Sequence, residues 1–329
     1  MEHPARPTTV KRMTSPSRRP SRRLGLRLAA VLSLSALALG ATACAQEAPE
    51  DDSTPVSQES GATDPEQDSE SPSPTEPLTE TTSETAEPED TVTVPLYFVG
   101  ETPQGPKLFR EFRAVPADNP LMEATALLLG GDTLDPDYRT LWPQLEVSDV
   151  QATDGVLLVQ LPGDGFTERP DGMSKQAAKL AVQQLVYTLQ GVQQERIPVQ
   201  FDRPDTSARL FGLSTASPYA NAPALDVAGL VNITSPEQGS TATGDTLAAS
   251  GVASSFEATV PWEIRQGQTV VLEGFATAEG WMDKLYPWAT DVDVSSLEPG
   301  DYTFVALTDD PSAGEGGGPH EDTKDFSLN

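Results

Sequence analysis

Few side chains in this chain are of the types that usually carry covalent chemistry. Its 329 residues include one cysteine, Cys44, and two histidines, His3 and His320. Serine and cysteine nucleophiles usually need a histidine beside them, and zinc sites draw heavily on Cys and His. His320 follows a run of glycines, where we expect a loop with a solvated imidazole. We therefore predict no catalytic residue, no metal site and no cofactor.

Carboxylates, in contrast, are plentiful, with 50 Asp and Glu. A pair of them could act as acid and base in a glycosidase, but no motif selects two. Asp164, between two glycines, is interpreted as a turn residue. The segment 291–295 begins like a calcium loop, yet Ser296 and Tyr302 stand where the loop needs Gly and Glu. A carboxylate-dependent cell-wall hydrolase remains an alternative function.

Cys44 ends a segment that resembles a bacterial lipoprotein signal peptide. A basic start precedes the uncharged run 28–43, which is shorter than the ~20 apolar residues of a spanning helix. Ala41-Thr42-Ala43-Cys44 resembles a lipobox, which implies cleavage between Ala43 and Cys44 and a diacylglyceryl group on the Cys44 thiol. Two acyl chains suffice for stable anchoring. We expect a signal peptide at 1–43 and attachment to the extracytoplasmic face of the cell membrane; an uncleaved anchor is the alternative.

The following segment, 44–91, is strongly acidic. From Ala45 to Asp90 it holds fifteen Asp or Glu, no Lys or Arg, and many Pro, Ser and Thr. Because it has too few apolar residues to form a core, we predict a disordered tether, or a segment that folds on a partner. The whole chain has a net charge of −29. Such a charge argues against nucleic-acid binding and against electrostatic docking onto anionic lipid.

From Thr91 onward, apolar periodicity predicts a folded α+β domain. The order is ββα followed by ββαβ, with both helices on one face of a largely antiparallel sheet. Asn119-Pro120 and Ser174 are helix-start signals, Gly191 is a stop signal, and Asp154-Gly155 is a hairpin signal. The predicted elements are strands at 91–99 and 107–115, a helix ending at 130–131, strands at 147–152 and 156–161, a helix at 174–191, and strands at 197–201 and 208–213.

These residues resemble a GerMN domain over about residues 92–213. The resemblance lies in the strand Val94–Val99, the helix Asn119–Gly130, the strand Gly155–Val159 and the helix that starts at Ala177-Ala178-Lys179-Leu180 and runs on to Val199. Such modules occur in spore-germination proteins and in envelope lipoproteins of high-GC Gram-positive bacteria. The resemblance implies an envelope or spore-coat role and supplies no catalytic residues.

Residues 214–229 are interpreted as a linker, and an all-β region follows them. Strand-like runs occupy 230–234, 246–252, 256–265, 269–276, 291–295, 302–307 and 325–328. About seven short strands predict an Ig-like sandwich. Val231–Pro236, and Gly251–Ala253 leading into Phe256–Val260, resemble the Ig-like domain of bacterial spore germination over residues 230–329. That domain often follows GerMN.

Aromatic residues supply the candidate binding surface, namely Trp281, Tyr286 and Trp288, with Trp142 in the first domain. Trp and Tyr are common at interface hot spots, although any of these rings could instead pack in the core. We predict a non-catalytic, lipid-anchored binding or scaffold protein of the cell envelope. Its partner would be peptidoglycan or an envelope protein. A structural accessory of a membrane complex is a further alternative to the hydrolase.

Overall fold

The structure is a computed structural model that describes residues 90–204, 208–310, 314–315 and 317–329. The predicted signal peptide, the cleavage pair Ala43 and Cys44, and the predicted tether up to residue 89 lie outside the described residues. Within the described part of the chain, no helix has both the length and the apolar character needed to cross a membrane.

The first folded region is an α+β domain in the predicted order, ββα then ββαβ, followed by a pair of two-residue strands. Its elements are β1 (Thr91–Gly100), β2 (Lys107–Pro116), α1 (Pro120–Gly130), β3 (Asp149–Thr153), β4 (Val156–Gln160), α2 (Lys175–Gln193), β5 (Val199–Asp202), β6 (Arg209–Leu210) and β7 (Leu213–Ser214).

Both long helices begin at the predicted caps. The side chains of Asn119 and Ser174 each accept a hydrogen bond from a backbone N–H in the first turn. The predicted stop at Gly191 is wrong, because α2 continues to Gln193. A Cβ at position 191 would lie 2.5 Å from Pro95 Cγ. Gly191 therefore permits α2 to pack closely on β1, and it does not end the helix.

The strands form separate small sheets, so the predicted single sheet is wrong, although three of the four strand pairings are antiparallel, as predicted. β1 and β2 are an antiparallel hairpin, while β3-β4-β5 is a second sheet in which β4 and β5 run parallel. Side chains of α2 occupy the backbone edge of β1 that a further strand would have taken. The Tyr97 N–H donates to Thr188 Oγ1 at 3.0 Å, and Gln184 Nε2 donates to the Tyr97 carbonyl at 3.2 Å.

The end of this domain also differs from the expectation. The predicted strand 208–213 is divided into β6 and β7, because Phe211 (φ 52°) and Gly212 (φ 68°) form a left-handed turn between them. The segment 214–229, interpreted as a linker, is packed on the first domain. Tyr219 pairs with Val199 of β5, and Gln183 of α2 bonds to the backbone of 220 and 222. A short helix, α3 (Ala224–Val227), lies within this segment.

The second region is a β-sandwich, as predicted. Its strands are β8 (Val231–Ser235), β9 (Ser240–Ala242), β10 (Thr246–Ala253), β11 (Thr259–Gln266), β12 (Thr269–Thr277), β13 (Tyr286–Asp293), β14 (Gly300–Leu307) and β15 (Glu321–Leu328). One sheet has the order β13-β10-β8, and the other has the order β12-β11-β14-β15-β9. Apolar side chains from the facing sides of both sheets form its core.

Two of these strands begin at least four residues earlier than predicted. β13 starts at Tyr286 and not at 291, and β15 starts at Glu321 and not at 325. In β15, Asp322 and Lys324 lie on the same inward face as the core residues Phe326 and Leu328. Charged residues at inward positions hide the period-two pattern of a strand, because such positions are ordinarily apolar.

Candidate functional site

Three exposed apolar side chains meet at one end of the sandwich, and we call them the aromatic tip. Phe256 lies in the loop between β10 and β11, and Trp281 and Met282 lie in the loop between β12 and β13. Their exposed fractions are 40%, 37% and 68%. The rings of Phe256 and Trp281 meet edge to face, with centroids 5.2 Å apart and planes at 77°. Clustered exposed apolar side chains of this kind mark binding surfaces.

Close packing at Gly280 and two hydrogen bonds hold the loop between β12 and β13, which carries Trp281, in place. The Tyr286 ring covers Gly280, where a Cβ would lie 2.6 Å from the ring. The Tyr286 hydroxyl donates to Asp283 at 2.7 Å, and this bond raises the pKa of Tyr286. Met282 N–H donates to Ser254 Oγ at 3.1 Å. The last contact joins the two loops, so that Phe256 and Trp281 are presented together.

The backbone of the tip is strained. Glu257, Ala258 and Met282 have φ values of 50°, 61° and 80°, in the left-handed region that non-glycine residues seldom adopt. Residues in such conformations cluster at ligand clamps and other functional sites. The strain therefore points to the same loops as the exposed rings.

The tip is bordered by acidic residues. Glu257, Glu279 and Asp283 are exposed, as is Lys284, whose ammonium lies 4.6 Å from the Tyr286 ring centroid. A cation over an aromatic face is attracted by the negative face of the ring. The tip thus combines apolar rings with carboxylate acceptors.

Two of the four predicted surface aromatics are not at the surface. Trp142 is 4% exposed, and its Nε1 donates to the Ala181 carbonyl at 2.6 Å. Trp288 is 3% exposed in the sandwich core, beside Gly251. The prediction that these two rings belong to a binding surface is wrong, because each fills a domain core. Trp281 is exposed, and Tyr286 is half-buried beneath the tip loop.

A buried cluster of charged residues joins the two domains, and we call it the charge cluster. It comprises Glu111, Asp135 and Tyr138 from the first domain, and Asp322 and Lys324 from β15. Lys324 Nζ lies 2.6 Å from Asp135 Oδ2, 2.7 Å from the Tyr138 hydroxyl and 3.4 Å from Asp322 Oδ1. None of these five residues is more than 7% exposed.

Further hydrogen bonds join the charge cluster to backbone groups of both domains. Asp322 accepts from the Tyr138 hydroxyl and, at 2.6 Å, from the Ile233 N–H of β8. Glu111 accepts from the N–H groups of Leu134 and Asp135, the latter at 2.7 Å. Each buried carboxylate therefore has hydrogen-bond donors, which partly offset its loss of hydration.

Burial and charge act against each other on the pKa values of this cluster. Burial raises the pKa of Glu111, against the backbone hydrogen bonds from Asp135 and Leu134. Burial likewise raises the pKa of Asp135, against the attraction of Lys324. Burial alone would lower the pKa of Lys324, but Asp322 and Asp135 outweigh it and raise that pKa. We take Lys324 as the charged member, because three carboxylates surround one ammonium.

A second layer of contacts lies beside the charge cluster, between β2 and β8. The Arg110 N–H donates to Asn232 Oδ1 at 3.2 Å, and Asn232 Nδ2 donates to the Gly229 carbonyl at 2.9 Å. Asn232 is buried, and its carboxamide thus links the first domain to the start of the second. Thr323 Oγ1 also donates to Asp137 at 3.0 Å.

Sequence reasoning missed the charge cluster, and its expectation that the His320 imidazole is solvated is wrong. His320 is 5% exposed, and its backbone N–H donates to Thr308 Oγ1 at 3.0 Å. Burial, with a smaller contribution from Lys107, lowers the pKa of its imidazole. No described residue bonds to its Nδ1 atom. Over the described ranges, no group of three or more His, Cys, Asp or Glu is arranged to hold a metal ion.

Comparison with protein families confirms both resemblances that the sequence predicted. A family described as sporulation and spore germination matches residues 95–203. The immunoglobulin-like domain of bacterial spore germination matches residues 230–315. A comparison with curated proteins found no match.

Several solved structures are similar to parts of this chain. The tandem GerMN domains of the Bacillus subtilis sporulation protein GerM are 15% identical, with a TM-score of 0.32. The likeness covers 42% of this chain and 49% of that one, so the chain spans about half the length of this relative. A Clostridium perfringens protein provisionally described as a lipoprotein is 16% identical, with a TM-score of 0.27, over 40% of this chain and 87% of that one.

Proposed function

We propose that this chain, which carries a sporulation and spore germination domain followed by an immunoglobulin-like domain of bacterial spore germination, is a lipid-anchored binding or scaffold protein of the cell envelope. Cys44 would carry a diacylglyceryl group at the extracytoplasmic face of the membrane. The two domains would bind peptidoglycan or an envelope protein and would not catalyse a reaction.

The charge cluster is the observation that supports this proposal. A shift of one domain against the other would leave Asp135 buried without its cation, and an unpaired buried charge of this kind typically costs about 3–5 kcal/mol. Asn232 adds hydrogen bonds to the same junction. A scaffold must hold its contact surfaces at fixed positions, and a junction of this kind fixes one domain against the other.

The aromatic tip provides the contact surface of the proposed scaffold. Trp and other aromatic side chains dominate binding energies at interfaces, and Met adapts to irregular partners. Trp281 and Met282 are exposed on loops that the sandwich anchors. The tip can therefore contact a partner while the core of the domain stays unchanged.

Metabolic labelling tests the anchor. Cells of a high-GC Gram-positive host that express the full chain would be fed an alkyne fatty acid. We expect the wild-type chain to be labelled and found in the membrane fraction, and Cys44→Ala to lose the label. A Cys44→Ala chain that is labelled equally would reject lipid attachment at this residue.

Co-sedimentation tests binding by the detergent-solubilised full chain. We expect the wild type to sediment with purified cell wall, or to cross-link to an envelope protein, and Trp281→Ala to do so weakly. Val270→Ala is the matched control, since Val270 is an exposed apolar residue at the other end of β12. Absence of tip-dependent binding in both assays would reject the proposal. Release of soluble wall fragments would reject its non-catalytic part.

A further inference from the structure

We infer that the aromatic tip binds an uncharged glycan strand built from N-acetylated amino sugars. This inference rests on the proposed function and names the ligand of its contact surface. Phe256 and Trp281 would contact the apolar face of a sugar ring. Glu257, Glu279 and Asp283 would accept hydrogen bonds from its hydroxyl and amide groups.

The ring geometry suits a pyranose. The planes of Phe256 and Trp281 stand at 77°, so that one ring forms a floor and the other a wall. Each of these two residues keeps more than a third of its surface exposed, and both can therefore touch the ligand. The C–H face of a sugar ring is apolar, and its burial against aromatic carbon is favourable.

The acidic border suits the polar groups of the same ligand. Hydroxyl and acetamido groups are hydrogen-bond donors, and ionised carboxylates are acceptors only. Glu257 stands next to Phe256 in sequence, and Asp283 lies two positions after Trp281. Hydrogen bonds to charged acceptors are stronger than those between neutral groups. Carboxylates beside the rings can thus hold the edge of the sugar while the rings hold its face.

Charge favours a neutral glycan over an anionic ligand. The tip is bordered by three exposed carboxylates against one ammonium, that of Lys284, and the whole chain has a net charge of −29. Phosphate-bearing wall polymers and anionic lipid headgroups would be repelled by both. A glycan backbone of amino sugars carries no such phosphate charge.

The strained backbone suits a preorganised site. Glu257, Ala258 and Met282 have positive φ values, and Met282 N–H is held by Ser254. Because the loops are fixed before the ligand arrives, less conformational entropy is lost on binding. This is a reason for the chain to keep three unfavourable backbone conformations in two short loops.

Titration with defined glycans tests the inference. The full chain in detergent would be titrated with the hexamer of N-acetylglucosamine, and co-sedimented with peptidoglycan stripped of anionic polymers and proteins. We expect binding that Trp281→Ala and Phe256→Ala each weaken by about tenfold or more. Glu257→Gln should weaken it less, and Val270→Ala should leave it unchanged. Circular dichroism would verify that each variant is folded.

The outcomes separate this inference from the proposed function. Wild-type binding to either glycan that depends on Trp281 supports the inference. Equal binding by wild type and Trp281→Ala overturns it. If neither glycan binds but the tip cross-links to an envelope protein, the glycan is wrong and the scaffold function stands. If no tip-dependent binding occurs in any assay, both fail.

Discussion

The ammonium of Lys324 lies 2.6 Å from the carboxylate of Asp135, although the two residues are 189 positions apart in the chain. Lys324 lies on β15 of the sandwich, and Asp135 lies in the region 95–203 that matches the sporulation and spore germination family. Both are buried, so the pair is shielded from solvent and from salt. A buried ion pair therefore joins the two domains, while Asp322 of the same strand lies 3.4 Å from the ammonium of Lys324.

Lys324→Met should lower the free energy of unfolding by about 3–5 kcal/mol, because Asp135 and Asp322 would stay buried without their cation. Chemical denaturation would measure the change. Arg139→Met is the matched control, since Arg139 pairs with Glu101 at the surface and should cost about 0.5 kcal/mol or less. Equal effects of the two substitutions would contradict the conclusion that Lys324 is the buried cation of the charge cluster.

Tyr138→Phe tests a single hydroxyl of the cluster. That hydroxyl donates to Asp322 and accepts from Lys324, so its removal leaves two charged groups one hydrogen bond short. We expect a loss of about 1.5–3 kcal/mol, the range for hydrogen bonds to charged groups. Tyr219→Phe removes a hydroxyl that bonds to the Ser214 carbonyl and should cost about 0.5–1.5 kcal/mol. A Tyr138→Phe protein as stable as wild type would speak against the cluster.

Glu111 should give the stability a distinct dependence on pH. Burial raises its pKa above the ordinary value of 4.5, so the folded state holds its proton more tightly than the unfolded state. The wild type should therefore lose stability relative to Glu111→Gln as the pH rises from about 4.5 through the raised pKa. Denaturation of both proteins between pH 4 and 8 would be compared. A difference that is constant, or that changes in the opposite direction, would rule out a raised pKa at Glu111.

Fluorescence quenching should distinguish the tryptophans. Trp281 is 37% exposed, whereas Trp142 and Trp288 are 4% and 3% exposed. Trp281→Phe should remove the largest single share of the emission that acrylamide quenches readily, since Trp262 is half-buried. Trp288→Phe should leave that fraction unchanged. The reverse result would place Trp288 at the surface and return it to the candidate binding surface.

Local signals in the sequence were sufficient for most of the fold. Asn119 and Ser174 cap the first turns of the helices that follow them, and Asp154-Gly155 forms the turn of its own hairpin. Because these contacts are between neighbouring residues, they can be predicted from the local sequence. Gly191 shows the limit of such reasoning. It resembles a helix stop, but its role depends on Pro95, a residue almost a hundred positions away.

The site was harder to predict, because its parts meet only in three dimensions. Asp135 and Lys324 are ordinary surface residues when judged by type, yet both are buried and paired where the two domains meet. Trp281 and Trp288 are the same residue type seven positions apart, yet one is exposed in a loop and the other lies in the core. Residue type alone cannot distinguish the two tryptophans. The difference follows from their places in the fold, because Trp288 lies on the inward face of β13 and Trp281 lies in the loop before that strand.

A distance measurement between the domains tests the central claim most directly. In a Cys44→Ser background, which lacks other cysteines, spin labels would be attached to cysteines replacing the exposed residues Gln151 and Thr269, one in each domain. Pulsed electron paramagnetic resonance should give one narrow distribution of distances between the two labels. The distribution should become broad when Lys324→Met is added. A broad or multiple distribution without that change would contradict a fixed two-domain scaffold.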